Sequence, residues 1–76
     1  MSVLPQITGA RLVSALQKSG FVVLRQHGSH VVLRHATDRA RRAVIPVHGS
    51  KAVKPGTLRA ILKGAGLTIE TLKQLL

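Results

Sequence analysis

The 76-residue sequence predicts a single α+β domain, residues 1–76, in which a three-stranded antiparallel sheet packs on helices. Three observations lead there. Segments 8–19 and 55–65 repeat apolar residues at helical spacing. Between them lie three short runs rich in β-branched residues, 21–27, 30–36 and 42–48. Gly, Ser and polar clusters separate these runs.

The first helix is expected over 8–19. Thr8 has the side chain of an N-cap, and Ile7 before it can staple onto Leu12. Leu12, Val13 and Leu16 share a face, and Gly20 suits the left-handed residue that ends a helix. Phe-Val-Val-Leu-Arg-Gln-His (21–27) reads as a strand, and Gly28-Ser29 as a two-residue type II′ hairpin turn with Gly at its first central position. His30 to Ala36 is the partner strand, Thr37 to Arg41 a polar loop, and Arg42 to His48 the third strand. Pro46 cannot donate to a ladder, which sends that strand to a sheet edge. A basic loop, Gly49 to Lys54, leads into a helix over Pro55–Ala65 with Leu58, Ile61, Leu62 and Ala65 as its apolar stripe. Gly66 ends it. Thr68 caps a short C-terminal helix over 69–75, with Ile69, Leu72 and Leu76 on one side and Glu70 in the first turn. The order α-β-β-β-α with a small helical extension is that of the double-stranded RNA-binding domain, a likeness of fold that does not by itself establish function.

A turn of Gly28-Ser29 makes His27 and His30 the closing pair of the hairpin, followed by Arg25 opposite Val32 and Val23 opposite Arg34. One face then carries Arg25, His27, His30 and Arg34. The other carries Val22, Leu24, Val31 and Leu33 with Gln26 and His35, and is the expected core face. Ala43, Ile45 and Val47 point inward from the third strand, leaving Arg42 and His48 outward. This register puts Phe21 on the polar face, so either the strand starts later or the register is off by one.

Charge narrows the choice of partner. Twelve Lys and Arg oppose only Asp38 and Glu70, a formal net charge of +10. So dense a charge favours a polyanion, nucleic acid first and an acidic protein second. The basic residues are spread along the chain rather than lined on one amphipathic helix, which argues against a membrane surface. No apolar run approaches the roughly 18 residues of a membrane helix, no signal pattern opens the chain, and there is no cysteine. The expected location is the cytoplasm.

Two-metal phosphodiester cleavage needs several acidic ligands, and this chain has two carboxylates in different elements. His27, His30, His35 and His48 lack the local spacings of a structural zinc site. Neither a metal nor a small-molecule cofactor is expected. What remains is acid–base chemistry by histidine, with Arg and Lys stabilising charge that develops on a phosphate. Without a metal to activate water, the simplest nucleophile is the 2′-hydroxyl, which RNA carries and DNA does not. The candidate RNA contacts are Arg25, His27, Arg34, Arg42, His48, Lys51, Lys54, Arg59 and Lys63; Arg59 and Lys63 are four residues apart and share a helix side. A lone histidine beside a turn is more often an ordinary surface residue, and the basic side chains also fit a merely solvated face.

Gly20-Phe21, Arg25-Gln26-His27-Gly28-Ser29-His30, Ile45-Pro46-Val47-His48 and Pro55-Gly56-Thr57-Leu58-Arg59-Ala60-Ile61-Leu62-Lys63 occur in an order and spacing that resemble the HicA toxins of bacterial and archaeal toxin–antitoxin pairs. The resemblance covers nearly the whole chain. It implies a small mRNA interferase with a double-stranded RNA-binding-domain-like fold, neutralised by a HicB-like antitoxin that covers the active face. It also implies that His30, the histidine of Gly-Ser-His, is catalytic, with Gly28 and Ser29 as the turn that presents it. His48 matches the Pro-Val-His element without an implied catalytic role. Relatives often carry a lysine at the position of His27, and an aromatic residue or a further histidine within Val31-Val32-Leu33. With Phe21 the only aromatic of the Phe, Tyr and Trp class, little base stacking is expected. Two readings compete with the nuclease: an RNA-binding module that does not cleave, and a protein that only binds an acidic partner.

Overall fold

The computed structural model describes residues 3–76. The elements run α1 (Gly9–Lys18), β1 (Phe21–His27), β2 (His30–His35), β3 (Arg42–Pro46), α2 (Pro55–Ala65) and α3 (Ile69–Leu75). The strands form one antiparallel sheet in the order β1-β2-β3, so β3, with its Pro46, is indeed an edge strand. The architecture is the expected α+β fold of the double-stranded RNA-binding-domain type, with the short C-terminal helix added.

Local chemistry explains the helix ends. The Thr8 side chain accepts the backbone N–H of Arg11, and Thr68 does the same for Thr71 at the start of α3. Pro55 opens α2, where its missing N–H costs nothing, and Gly66 closes it in the left-handed region at φ 69°. The predicted stripe of α2 is the buried one: Leu58, Ile61, Leu62 and Ala65. In α1 the buried face is Leu12, Ala15 and Leu16, with Val13 only partly covered. In α3, Leu72 is buried and Ile69 and Leu75 pack beside it. Leu76 is 38% exposed rather than inward, because the helix ends before it.

The core lies between the helices and the face of the sheet that carries Val31, Leu33, Ala43 and Ile45, with Phe21 and Ile7 completing it. No polar or charged side chain is buried among the described residues. The N-terminal segment reaches across to the loop before α2: Thr8 bridges Ala52, and the Val53 N–H donates to the Ile7 carbonyl at 2.8 Å.

The first strand corrects the sequence reading. His27 pairs with His30 and Arg25 with Val32, as expected, but Val23 pairs with Leu33 and Val22 with Arg34. Leu24 is the extra residue of a β-bulge. The slip of one residue resolves the conflict at Phe21. The hairpin half of β1 keeps Arg25 and His27 on the open face, while the other half turns Phe21 into the core, where it is almost fully buried. Val22 and Leu24, expected inside, are each 43% exposed. Burial in β1 is confined to its first residue because this is an edge strand. The other two strands are shorter than expected, ending at His35 and Pro46 rather than at 36 and 48. Val47 is half-buried against the core instead of continuing the strand, though its N–H still donates to the Ser29 carbonyl at 2.6 Å.

Candidate functional site

The uncovered face of the sheet is built from three cross-strand rows. Val22, Arg34 and Arg42 form one; Arg25, Val32 and Val44 the next; His27, His30 and Pro46 the last, at the hairpin end. The alternation that places Val31, Leu33, Ala43 and Ile45 in the core necessarily places these residues on the other side. The face therefore has two arginines at one end, two imidazoles at the hairpin end, and Arg25 beside the apolar pair Val32 and Val44 between them.

At the hairpin, Gly28 has φ 56° and Ser29 has no positive φ, as a type II′ turn requires. A Cβ added at Gly28 would meet nothing within 4 Å, so conformation alone demands glycine there. The turn is also held by the Gln26 side chain, whose Nε2 donates to the Gly28 carbonyl at 3.0 Å. This is the support beneath His30, whose ring is exposed.

The four imidazoles have different surroundings. His27 Nε2 accepts from Arg25 Nε at 3.0 Å, so that nitrogen is engaged. His35 lies on the core side, its ring edge-on to Phe21 at 5.2 Å. Its Nδ1 accepts the backbone N–H groups of Thr37 and Asp38 and holds the loop after β2. His30 and His48 sit ring to ring, centroids 6.4 Å apart and planes at 84°, with no side-chain hydrogen bond of their own among the described residues. These two come from different elements, β2 and the turn after β3, where the Lys51 N–H donates to the His48 carbonyl at 3.1 Å.

His48 opens onto a surface hollow of about 350 Å³ that Pro46, Lys51, Lys54 and Thr57 also line. Lys54 is the N-cap residue of α2. The structure thus gathers His27, His30, His48, Arg25, Lys51 and Lys54 around the hairpin end of the open face and the adjoining hollow. Arg34 and Arg42 lie farther along that face. Arg34 is half-buried and its Nε has no hydrogen-bond partner, while Arg42 Nε donates to the Arg39 carbonyl at 3.1 Å. Arg59 and Lys63 are exposed on α2, and no contact brings either to the imidazoles or the hollow.

Two supporting residues had no signal in the sequence. A Cβ at Gly9 would overlap the Pro46 carbonyl oxygen and come within 2.9 Å of Val47 Cα. Gly9 therefore lets the start of α1 pack directly on the backbone that leads to His48. Arg41 lies over the Phe21 ring at 5.4 Å and donates from Nε to the Ala65 carbonyl at 2.7 Å, tying the end of α2 to the sheet. Its neighbours Arg39 and Arg42 look equivalent in sequence.

Among the described residues no three His, Asp or Glu side chains converge in a way that would hold a metal ion. Asp38 is occupied locally, its Oδ1 accepting the Ala40 N–H at 3.1 Å. No helix is long and apolar enough to cross a membrane. What the site offers is two exposed imidazoles without hydrogen bonds, a third held by arginine, and a field of positive charge.

No curated protein matches the chain. The family model described as "HicA toxin of bacterial toxin-antitoxin" matches residues 9–67, a span that runs from the first residue of α1 to just beyond α2 and includes every residue of the site.

Proposed function

Since the chain belongs to the HicA family and is the toxin of a toxin–antitoxin system with an antitoxin as partner, we propose that it acts as an endoribonuclease that cleaves mRNA without a metal, with His30 as a catalytic residue. The observation that carries this reading is the position of His30: exposed, first in β2 beside the Gly28-Ser29 turn, at the hairpin end of an open sheet face that carries arginines. A single-stranded RNA laid there meets Arg25, Lys51 and Lys54 as phosphate contacts, with His27 and His48 close by. Arg34 and Arg42 extend the track along the sheet, and Arg59 and Lys63 add long-range attraction from α2.

The nucleophile is the 2′-hydroxyl of the RNA itself. His30 moves a proton at the reacting phosphate, and the cationic side chains stabilise the charge that develops on its oxygens. With Asp38 and Glu70 the only carboxylates, the donor set is poor for metal-assisted hydrolysis. The antitoxin we expect is HicB-like and acidic where it covers the basic face, and toxin and target meet in the cytoplasm.

The test is cleavage of single-stranded RNA in the presence of a chelator, for the parent and for His30→Ala. The parent yields products and arrests growth when expressed without its antitoxin. His30→Ala keeps its fold, because the side chain is exposed, and loses both activities. A folded His30→Ala protein that degrades RNA at the parental rate refutes the assignment. RNA binding by the parent with no products under any condition favours the non-cleaving module instead.

A further inference from the structure

We infer that His30 and His48 are an acid–base pair working on one phosphodiester: one takes the proton from the 2′-hydroxyl and the other gives a proton to the departing 5′-oxygen. The inference rests on the ribonuclease reading above and goes beyond it by giving His48 a catalytic role.

Geometry selects this pair from the four histidines. In an in-line displacement the attacking and leaving oxygens lie on opposite sides of phosphorus, so a single imidazole is poorly placed to serve both. Each catalyst must stand within about 2.6–3.2 Å of its own oxygen. The two catalysts must therefore come from separate rings that border a common gap, and the His30 and His48 ring centroids stand 6.4 Å apart. The rings are too far apart to bond each other and near enough to flank one phosphate. His27 is also beside His30, but its Nε2 already accepts from Arg25. His35 faces the core, and its Nδ1 accepts loop N–H groups. Of the four histidines, only His30 and His48 are exposed with no side-chain hydrogen bond among the described residues. Lys51 and Lys54 line the hollow beside His48 and can hold the phosphate between the two rings.

The step balances without a further reagent. The base imidazole takes the 2′-hydroxyl proton as the O2′–P bond forms. The P–O5′ bond breaks with its electron pair on O5′, which takes the proton of the acid imidazolium. The products are a 2′,3′-cyclic phosphate and a 5′-hydroxyl, and the two exposed rings exchange protons with solvent to restore the starting state.

The experiment compares two oligonucleotides that share one linkage the parent cleaves, one with oxygen and one with sulfur at the 5′-bridging position. A thiolate leaves without being protonated, so the sulfur substrate needs no acid. On the oxygen substrate, His30→Ala and His48→Ala, each checked for fold by its melting transition, fall by at least about 100-fold. On the sulfur substrate one of the two returns to within about tenfold of the parent, which identifies the acid, and the other stays slow. His48→Ala at the parental rate on oxygen, or a pattern in which neither or both variants recover on sulfur, overturns the pair while leaving the nuclease intact. A parent that cleaves no linkage in any single-stranded RNA, so that no such substrate can be chosen, overturns the ribonuclease reading itself.

Discussion

Gly9→Ala and Gly56→Ala make the same chemical change at the start of two helices and are expected to shift stability in opposite directions. Both glycines lie in helical first turns, and neither has a positive φ. Alanine at a compatible site stabilises by about 0.4–1 kcal/mol, chiefly by restricting the unfolded chain. At Gly56 a new Cβ meets nothing within 4 Å, so that gain is kept. At Gly9 the Cβ would overlap the Pro46 carbonyl oxygen and approach Val47 Cα to 2.9 Å. Backbone atoms cannot rotate aside as a side chain does, so α1 or the end of β3 must move. Overpacking of this kind costs about 1–3 kcal/mol, which exceeds the entropic gain. Gly9→Ala should lose about 1–2 kcal/mol net, and Gly56→Ala should gain up to about 1 kcal/mol. In a domain of this size each kcal/mol moves Tm by about 4–8 °C. Urea unfolding and thermal melts of both variants beside the parent measure the difference. A Gly9→Ala protein as stable as the parent would falsify the close packing of α1 on Pro46 and Val47.

The bulge gives a second contrast: Leu33→Ala, fully buried in β2, should lose about 2–5 kcal/mol, whereas Leu24→Ala, 43% exposed, should lose under about 1 kcal/mol. Equal losses by denaturant titration would restore the unbulged register, in which both leucines face the core. Arg41→Ala should cost about 1–3 kcal/mol through its contact with Phe21 and its bond to the Ala65 carbonyl, while Arg39→Ala, exposed in the same loop, stays within about 0.5 kcal/mol. Amide exchange at the end of α2 that is equally protected in both variants would count against that tie.

Much of this protein is legible without coordinates because its determinants are local. Helix faces follow from spacing, caps from Thr8, Pro55, Gly66 and Thr68, and the hairpin from Gly28-Ser29, so α1, α2, α3 and the His27–His30 pair fall close to where the sequence puts them. The open face carrying Arg25, His27, His30, Arg34 and Arg42 is legible for the same reason, since alternation along a strand needs no knowledge of the rest of the chain. That alternation fails in β1, where Phe21 to Leu24 are all apolar and period two cannot say which of them is inside. The choice belongs to the core, which takes Phe21 between Arg41 and His35 and accepts a bulge at Leu24 to do so.

The sequence by itself determined the elements, the charge, the scarcity of carboxylates and the turn that presents His30. It also placed His27 opposite His30; tertiary structure alone decided that a second histidine, His48, stands beside it as well. His48 is 18 positions away in the chain and reaches His30 only because β3 pairs with β2 and ends at Pro46, and because Gly9 lets α1 close against that end. Spacing along a chain encodes neighbours on one helix or one hairpin. It does not encode the meeting of two side chains from separate elements, which depends on how the whole core packs.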